Sequence, residues 1–419
     1  MIHWPEPGAA HLATWAIAAA ATAAVIVRPG RWPEAVWAVA GALALLGCGL
    51  ISASTALHAV FEGLDVYLFL TGMMLLSELA RREGLFDTLA GWAVRHAGGS
   101  ARRLLGLIYA IGVVVTVFMS NDATAVVLTP AVYVVAKRAG ARPLPYLFAC
   151  AFIANAASFV LPISNPANLV VFGAHMPPLL AWLRAFALPS IAAIFVTWAV
   201  LALVFRTELA TPVESASHVP ALSGTGRLAA VGIAGVVLAM LAASALGFPL
   251  GAPTLIASAS AIGAVQAARR EAPWPLLQHV SWSVLVLVAG LFVLVAGVGQ
   301  TGLIAALTEA LRAAAHAAPR ETAWAAGAIV AFASNLMNNL PAGLVAGTAV
   351  NSGPMPDSVR SAVAIGIDLG PNLSVTGSLA TILWLVALRR EGEHVSAWQF
   401  LRVGALVMPL ALVAALACL

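Results

Sequence analysis

Two short polar segments interrupt long apolar runs in opposite halves of this 419-residue chain. The first is Ser120-Asn121-Asp122-Ala123-Thr124, and the second is Met337-Asn338-Asn339-Leu340-Pro341. Polar side chains and open backbone are costly at bilayer depth unless they line a hydrated cavity enclosed by protein. The two segments therefore mark places where a polar solute or an ion is handled, which is typical of a transporter.

The composition excludes a soluble protein. Hydrophobic residues make up 62% of the chain and charged residues 9%, which leaves too little polar side chain to cover a soluble fold of this length. Apolar runs near the roughly 20 residues that span a bilayer recur from end to end, without the alternation of membrane strands. The sequence therefore predicts an all-α, multi-pass integral membrane protein, which we expect in the cell inner (plasma) membrane.

The basic residues predict an orientation through the positive-inside rule. The first apolar run, about residues 9 to 27, is followed by Arg28 and Arg31, which is the reverse of a cleavable signal peptide. With these arginines in the cytoplasm, most of the 21 Lys and Arg residues fall on the cytoplasmic side. Both termini are then predicted to lie outside, and the second helix is predicted at about residues 33 to 56.

Each polar break is predicted to form the tip of a re-entrant hairpin. The apolar runs around the first break begin after Arg103 and end at Lys137, so both ends carry cytoplasmic-type charge. The second hairpin, about residues 321 to 350, is predicted to enter from outside. Prolines beside amide side chains interrupt two further runs, at 162–168 and 368–372, and predict discontinuous helices.

Corresponding features in the two halves are separated by a nearly constant number of positions. Gly72 and Gly290 differ by 218, and Gly84 and Gly302 also differ by 218. The asparagines of the two breaks follow the same rule, because Asn338 and Asn121 differ by 217. A shared offset of this kind indicates an internal repeat.

The repeat and the number of crossings predict the domain organisation. An odd number of crossings in each half places the second half upside down relative to the first, as in many secondary transporters. We predict a first inverted repeat at 1–205, a cytoplasmic linker at 206–227 and a second inverted repeat at 228–419. Each repeat carries five transmembrane helices, a re-entrant hairpin and a discontinuous helix, which gives about ten transmembrane helices plus two hairpins.

Two acids lie within the breaks, far in sequence from any basic residue. These are Asp122 and Asp368, and both are predicted to be proton-coupling residues, since intramembrane carboxyl groups often take up and release protons. The alternative role is to cap the half-helix that follows. A third acid, Glu78, lies three residues before Arg81, so a structural ion pair is the expectation there.

Neutral donors and acceptors concentrate around the breaks, where half-helix N-termini add free backbone N–H groups. Each such residue can also serve only as a cap or an interhelical hydrogen bond, but their concentration favours a binding site. The predicted substrate-binding residues are Asn121, Thr124, Ser164, Asn165, Asn168, Asn338, Asn339, Asn372 and Ser374. No Arg, Lys or His lies at a break, so the ligand should be small, polar and poor in net charge.

Other functional classes are not supported by the sequence. The three cysteines lack the close spacing of a metal site, and no P-loop or HExxH motif is present. The signature of intramembrane aspartyl proteases fails, because Ile367 precedes Asp368. We therefore expect no enzyme activity, no cofactor, no metal site and no nucleic-acid partner.

Several motifs resemble the arsenite/antimonite efflux permease family (ArsB) of the ion transporter superfamily, over most of the chain. The matching residues are Asn121-Asp122 with Leu128-Thr129-Pro130, Ser164-Asn165 with Asn168, Met337-Asn338-Asn339-Leu340-Pro341, and Asp368-Leu369-Gly370-Pro371 followed by Gly377-Ser378-Leu379-Ala380-Thr381. The resemblance implies export of trivalent arsenite or antimonite in exchange for protons by alternating access, with assistance from a cytosolic arsenite-stimulated ATPase subunit. One departure is Asn155, which stands where this family often has an acid, so the chain has one coupling carboxylate fewer.

Two alternatives within the same superfamily remain open. A sodium/proton antiporter would be expected to carry an acid at the second hairpin tip, where Asn338 and Asn339 are neutral. A dicarboxylate carrier would be expected to carry Ser-Asn-Thr at both tips, whereas Asp122 would place a negative charge against an anionic substrate. Both features favour the arsenite permease as the primary prediction.

Overall fold

The computed structural model describes residues 8–214 and 221–419. Within these residues every regular element is helical, and the all-α membrane class predicted from the sequence is confirmed. Part of the predicted linker at 206–227 lies outside the described residues. The described part of that linker hydrogen-bonds to neighbouring loops, because the backbone N–H of Val213 donates to the carbonyl of Gly99 at 3.0 Å.

Helices α1 to α10 follow one another in the first half. Their bounds are Ala9–Val27 (α1), Glu34–Gly47 (α2), Ala53–Glu62 (α3), Leu64–Arg82 (α4), Leu85–Ala97 (α5), Ala101–Met119 (α6), Thr129–Arg138 (α7), Leu144–Ala156 (α8), Pro166–Phe172 (α9) and Leu179–Val204 (α10). A π-helical segment, Ala123–Leu128, joins the first polar break to α7. The first hairpin is therefore built from α6, this segment and α7.

Helices α11 to α20 form the second half. Their bounds are Gly224–Ala245 (α11), Gly251–Arg269 (α12), Trp274–Leu277 (α13), Ser283–Gln300 (α14), Leu303–Ala317 (α15), Pro319–Met337 (α16), Asn339–Asn351 (α17), Asp357–Leu369 (α18), Leu379–Arg390 (α19) and Ala397–Leu416 (α20). The second hairpin is built from α16 and α17, and the half-helices α18 and α19 flank the second discontinuity.

The prediction of one helix over residues 33 to 56 is wrong. The structure ends α2 at Gly47 and begins α3 at Ala53. Gly49 lies in the left-handed region with φ 67°, a conformation that glycine adopts without steric cost. The hydroxyl of Ser52 then accepts a hydrogen bond from the Thr55 N–H at 3.1 Å, which caps the start of α3.

Within residues 8–214 and 221–419, six helices are long and apolar enough to cross a membrane, or seven if the bent pair α3 and α4 forms one span. The longest is α10, with 26 residues. One of the six is α6, which the prediction assigns to the first hairpin. The prediction of about ten crossings therefore adds four shorter or less apolar elements to the other five spans and the α3/α4 pair. These elements are α2, α12 and the half-helix pairs α8/α9 and α18/α19. Discontinuous crossings of this kind are tolerated where neighbouring protein satisfies the freed backbone groups.

The backbone conformations of the two halves correspond at the predicted repeat positions. Gly84 and Gly302 lie in the left-handed region, with φ 72° and 79°, and begin α5 and α15 respectively. Ser120 and Asn338 have positive φ although neither is glycine, at 91° and 72°, and they end α6 and α16. Each pair differs by 218 positions. These correspondences support the predicted repeat, while its inverted orientation stays a prediction.

The helices form two bundles that each take elements from both halves. In the first bundle, α4 packs against α12 and α2 packs against α14. In the second bundle, α16 packs against α18, α10 against α20, and α9 against α17. Both hairpins and both pairs of half-helices belong to this second bundle, so the polar breaks of the two halves are brought together inside it.

Candidate functional site

Both hairpin tips and both half-helix N-termini line one small cavity of about 20 Å³. The polar residues along its wall are Asn121, Asp122, Asn165, Asn339 and Ser378. Four of these five residues were predicted from the sequence as binding or coupling residues. The cavity therefore lies where the two polar breaks meet.

The half-helices begin at this cavity because each carries a polar cap. The Oδ1 atom of Asn165 accepts a hydrogen bond from the Ala167 N–H at 3.0 Å, and Pro166 occupies the first position of α9, where its missing N–H costs nothing. The hydroxyl of Ser378 caps α19 by accepting from the Thr381 N–H at 3.1 Å. Both helix N-termini thus direct their positive dipole ends toward the cavity.

Asn121 and Asn339 occupy corresponding positions at the two hairpin tips, 218 residues apart. Both are buried, and the Oδ1 atom of Asn121 has no hydrogen-bond partner in the described part of the protein. The backbone N–H of Asn339 donates to the Gly377 carbonyl at 2.9 Å, which ties the second tip to the loop before α19. A buried amide oxygen without a partner is unusual, so Asn121 has capacity to bind a solute.

A much larger cavity of about 760 Å³ adjoins the small one. Ser120 and Asp122 lie at its inner end, and apolar side chains from several helices form its wall. Charged residues lie at its other end, namely Glu78, Arg81, Asp87, Arg390 and Glu391. The charged end belongs to the face that the positive-inside rule assigns to the cytoplasm.

The ion pair expected between Glu78 and Arg81 is present at the charged end. The Nε and Nη2 atoms of Arg81 donate to the two carboxylate oxygens of Glu78 at 2.7 and 2.5 Å. A two-pronged contact of this kind fixes both side chains. Glu78 is therefore satisfied by a structural partner at the cavity entrance.

Asp122 lines both the large and the small cavity. Its side chain is partly exposed, and it accepts no hydrogen bond from the residues that the structure describes. No Arg, Lys or His is found among the described residues that line the small cavity. The Asp122 carboxyl group is therefore open to the charged face and has no countercharge at the inner cavity.

Asp368 occupies a different environment. It is fully buried and lines neither of these cavities. The Nδ2 atom of Asn165 donates to its Oδ1 atom at 2.6 Å, while its Oδ2 atom has no partner in the described structure. Asp368 thus lies behind Asn165, which separates it from the small cavity.

Three predicted binding residues in the first half are engaged by neighbouring protein groups. Thr124 shares a hydrogen bond with the hydroxyl of Thr116 at 2.8 Å. Ser164 donates to the Val117 carbonyl at 3.0 Å, and Asn168 donates to the Ser158 carbonyl at 2.9 Å. These side chains hold the first hairpin and the loop before α9 in place, and none of the three lines the small cavity.

The remaining predicted binding residues also form hydrogen bonds within the protein. Asn338 caps α17 by accepting from the Leu340 N–H at 3.3 Å, and Ser374 donates to the Oδ1 atom of Asn335 at 2.7 Å. Asn372 accepts a hydrogen bond from Asn155 at 2.9 Å. These contacts support the second tip and the second discontinuity from behind.

Ser378 is a cavity residue that was not among the predicted binding residues. The sequence did contain a signal for Ser378. This residue is the N-cap of α19, the helix that corresponds to α9 in the second half, just as Asn165 is the N-cap of α9. The two positions differ by 213, five fewer than the 218 of the hairpin tips. The loops between tip and half-helix thus differ in length, which hides the correspondence from a constant-offset comparison.

Comparison with protein families shows one match that spans most of the chain. The family model described as "CitMHS: Citrate transporter" matches residues 19–367. The chain is also 30% identical to the "Arsenical pump membrane protein" of Escherichia coli (strain K12), over 79% of this chain and 80% of that protein.

Two solved transporter structures share the fold at low sequence identity. The Alcanivorax borkumensis YdaH transporter aligns with a TM-score of 0.56 at 17% identity, covering 88% of each chain. Neisseria gonorrhoeae MtrF, described within a class of antimetabolite efflux pumps, aligns with a TM-score of 0.55 at 14% identity, covering 89% of this chain and 84% of its own. At these identities the likeness extends to the fold alone.

Proposed function

Because this chain belongs to the citrate transporter (CitMHS) family and is 30% identical to an arsenical pump membrane protein, we propose that it exports arsenite, and also antimonite, from the cytoplasm in exchange for protons. The observation that carries this proposal is the meeting of two amide-bearing hairpin tips and two capped half-helices at one cavity. Among the described residues that line it, Asp122 is the one charged residue.

The chemistry of the cavity suits a small neutral polyhydroxyl compound. Arsenous acid carries three hydroxyl groups and is uncharged near neutral pH. Asparagine amides supply both donors and acceptors to such hydroxyls, and Asn121 has an unpaired oxygen there. The described lining of this cavity contains no cysteine, so the proposal uses reversible hydrogen bonds rather than tight thiolate ligation.

Proton coupling is proposed for Asp122 and Asp368. Asp122 adjoins the large cavity and can exchange a proton with the charged face, whereas Asp368 contacts the site through Asn165. Protonation from outside would compete with arsenite binding at the amides and so link proton uptake to release. Deprotonation toward the cytoplasm would restore the state that binds arsenite.

Alternating access is proposed to follow from two inverted repeats that meet at the site. The corresponding conformations of Ser120 and Asn338 support the repeat. Since the large cavity reaches the face predicted to be cytoplasmic, we assign this structure to the inward-open state of the proposed cycle. Movement of the second bundle against the first would close this cavity and open one on the opposite face.

Citrate is a poorer candidate than arsenite, although the family model carries its name. A tricarboxylate needs cationic partners, and the described wall of the small cavity contributes the Asp122 carboxyl group instead. Sodium/proton antiport is the alternative retained from the sequence. The neutral Asn339 at the second tip makes that assignment weaker than arsenite export.

The proposal is tested by solute uptake into everted membrane vesicles that contain the protein. An imposed proton gradient, acid inside, should drive arsenite accumulation without ATP, and a protonophore should abolish it. Transport without ATP would also indicate that the chain needs no ATPase subunit for this activity. Empty vesicles, labelled citrate and labelled sodium serve as controls.

Two outcomes would overturn the proposal. Proton-dependent movement of sodium with no arsenite uptake would identify the chain as an antiporter of the alternative class. Citrate uptake that competes with arsenite would show that the amide cavity accepts anions, contrary to the charge argument above.

A further inference from the structure

The contact between Asp368 and Asn165 joins the two halves of the chain directly behind the small cavity. Asn165 uses both ends of its amide, because Nδ2 donates to Asp368 at 2.6 Å while Oδ1 accepts from the Ala167 N–H at 3.0 Å. The contact to Asp368 is as short as charge-assisted hydrogen bonds are. The orientation of the α9 cap therefore depends on a carboxyl group in the other half.

Asp368 has no competing charged partner among the residues that the structure describes. Of the helices that pack against α18, α9 and α17 carry no titratable residue. Arg320 and Glu321 lie at the far end of α16, and Arg402 of α20 is exposed. Within α18 itself, Asp357 and Arg360 pair with each other at the opposite end.

The remaining titratable groups on the described helices that pack against α18 are uncharged and lie on α8. They are the phenol of Tyr146 and the thiol of Cys150, and both side chains are buried. The Tyr146 hydroxyl donates to the Ala101 carbonyl at 3.3 Å, away from Asp368. Asn165 is thus the polar side chain that hydrogen-bonds to Asp368 in the described structure, and its Nδ2 atom also lies 3.4 Å from the hydroxyl of Ser158.

The corresponding cap in the second half lacks such an acid. The Ser378 hydroxyl shares a hydrogen bond with the Thr381 side chain at 2.9 Å and accepts from the Thr381 N–H. That cap is complete within α19 itself. Among the described residues, the first-half cap alone is hydrogen-bonded to a titratable group. A proton on Asp368 can therefore act on one side of the cavity without disturbing the other.

We propose that Asp368 is a positioning residue, whose ionised carboxylate holds the Asn165 amide in the orientation that caps α9 and keeps the arsenite site competent. A proton that arrives on the unpartnered Oδ2 atom neutralises the carboxylate and weakens the contact to Asn165, and no covalent bond changes. The first turn of α9 then loosens at the cavity and arsenite affinity falls. This inference rests on the proposed function and deepens it.

Proton binding at Asp368 and arsenite binding must affect each other equally, which can be measured. If a proton on Asp368 lowers arsenite affinity, bound arsenite must lower proton affinity at Asp368 by the same factor. Since the ionised form is the competent one, arsenite affinity falls as pH falls. Protonation of Asp122 also makes arsenite affinity depend on pH. The contribution of Asp368 is the part of this pH dependence that requires the contact with Asn165.

The experiment measures arsenite affinity of the purified protein in lipid nanodiscs by equilibrium dialysis, from alkaline to mildly acidic pH. In the wild type, affinity should fall by about fivefold or more across this range. D368N, a neutral isostere, should bind weakly and lose most of this pH dependence. N165S keeps a hydroxyl that can cap α9, as Ser378 caps α19, but the serine side chain is too short to reach Asp368. This variant should therefore lose the same part of the pH dependence as D368N.

The double variant D368N/N165S should show no further loss of pH dependence, because both changes interrupt one route. N351A is the matched control. Asn351 donates to the Val171 carbonyl at the other end of α9 at 2.7 Å, so its loss perturbs the same half-helix without touching Asp368. Its pH profile should follow that of the wild type.

Each other result contradicts the inference. A wild-type pH profile in N165S would show that Asp368 does not act through Asn165, and a flattened profile in N351A would show that the effect is general loosening of α9. If the wild type neither binds nor transports arsenite, the proposed function fails together with the inference. If it transports arsenite while D368N and N165S keep the wild-type pH dependence, the inference fails alone.

Discussion

Asn155 donates a hydrogen bond from its Nδ2 atom to the Oδ1 atom of Asn372 at 2.9 Å, in the buried interior of the second bundle. The two residues differ by 217 positions, which is within one position of the offset between the hairpin tips. Asn155 and Asn372 thus occupy corresponding positions in the two repeats and also contact each other. If a twofold axis relates the repeats, it passes close to this contact. Asn372 in turn donates to the Phe152 carbonyl at 3.1 Å, so the pair fastens α8 to the loop after α18.

The first prediction concerns this amide pair. N155A removes the donor and leaves the Asn372 oxygen buried without a partner, which should cost about 1–3 kcal/mol of unfolding free energy. Thermal unfolding in detergent should show a lower midpoint. S260A is the control, because Ser260 is exposed and bonds only within its own helix, and its midpoint should not change. Equal midpoints for N155A and the wild type would contradict the prediction.

The second prediction concerns the glycines that let the helices of the first bundle approach closely. A Cβ atom on Gly72 would lie 2.9 Å from the backbone of Thr254, and one on Gly290 would lie 2.9 Å from the backbone of Ala38. Backbone atoms cannot move aside as flexible side chains can. G72A and G290A should therefore each destabilise the protein by about 1–3 kcal/mol, measured by the same thermal assay.

Two other glycines in transmembrane helices provide matched controls for this test. A Cβ atom on Gly235 of α11 or on Gly263 of α12 would meet no atom within 4 Å. G235A and G263A should leave stability unchanged or raise it slightly, since alanine is the better helix former. Loss of stability in all four variants would show that helix glycines matter here for a reason other than close packing.

The third prediction concerns the side to which the large cavity opens. In a background without Cys48, Cys150 and Cys418, V134C should react with a membrane-impermeant thiol reagent in everted vesicles, since Val134 lines the large cavity. L246C should react only from the periplasmic side of spheroplasts, since Leu246 is exposed at the end of α11. Labelled protein is read by mass shift.

The labelling pattern has two contradicting outcomes. Exchange of the two patterns would show that the chain is inserted in the opposite orientation to the one derived from its basic residues. Reaction of both cysteines from one side would contradict the path of the chain between α7 and α11. The cavity would then not face the cytoplasm in the way that proton-driven export requires.

Much of the fold could be predicted from the sequence because bilayer-spanning helices leave a strong compositional signal. The breaks at Ser120 and Asn338 were located correctly, since polar residues within apolar runs stand out. The break between α2 and α3 was missed because Gly47 to Ser52 carries no charge. The amphipathic helix α15 was also missed, because its 15 residues form neither a continuous apolar run nor a polar break within one.

The candidate site could be predicted only in part. Asn121, Asn165 and Asn339 line the small cavity, whereas Thr124 and Ser374 are used within the protein. Which way a polar side chain points depends on the rotation of each half-helix about its axis. That rotation is set by packing between distant segments, such as the contact of Asn165 with Asp368, and no local pattern reveals it.

The fourth prediction concerns Asp122, the carboxyl group shared by both cavities. In proteoliposomes, D122N should still bind arsenite but should move it without proton exchange or not at all, because the amide cannot release a proton. D357N is the matched control, since the Asp357 side chain is 98% exposed at the start of α18. It should retain coupling close to that of the wild type.

The most direct test of proton-coupled export is simultaneous measurement of arsenite and proton movement in proteoliposomes with a trapped pH indicator. An outward arsenite gradient should drive protons inward in the wild type and in D357N, and this proton movement should disappear in D122N. Arsenite efflux without any proton movement in the wild type, or undiminished proton movement in D122N, would contradict the account.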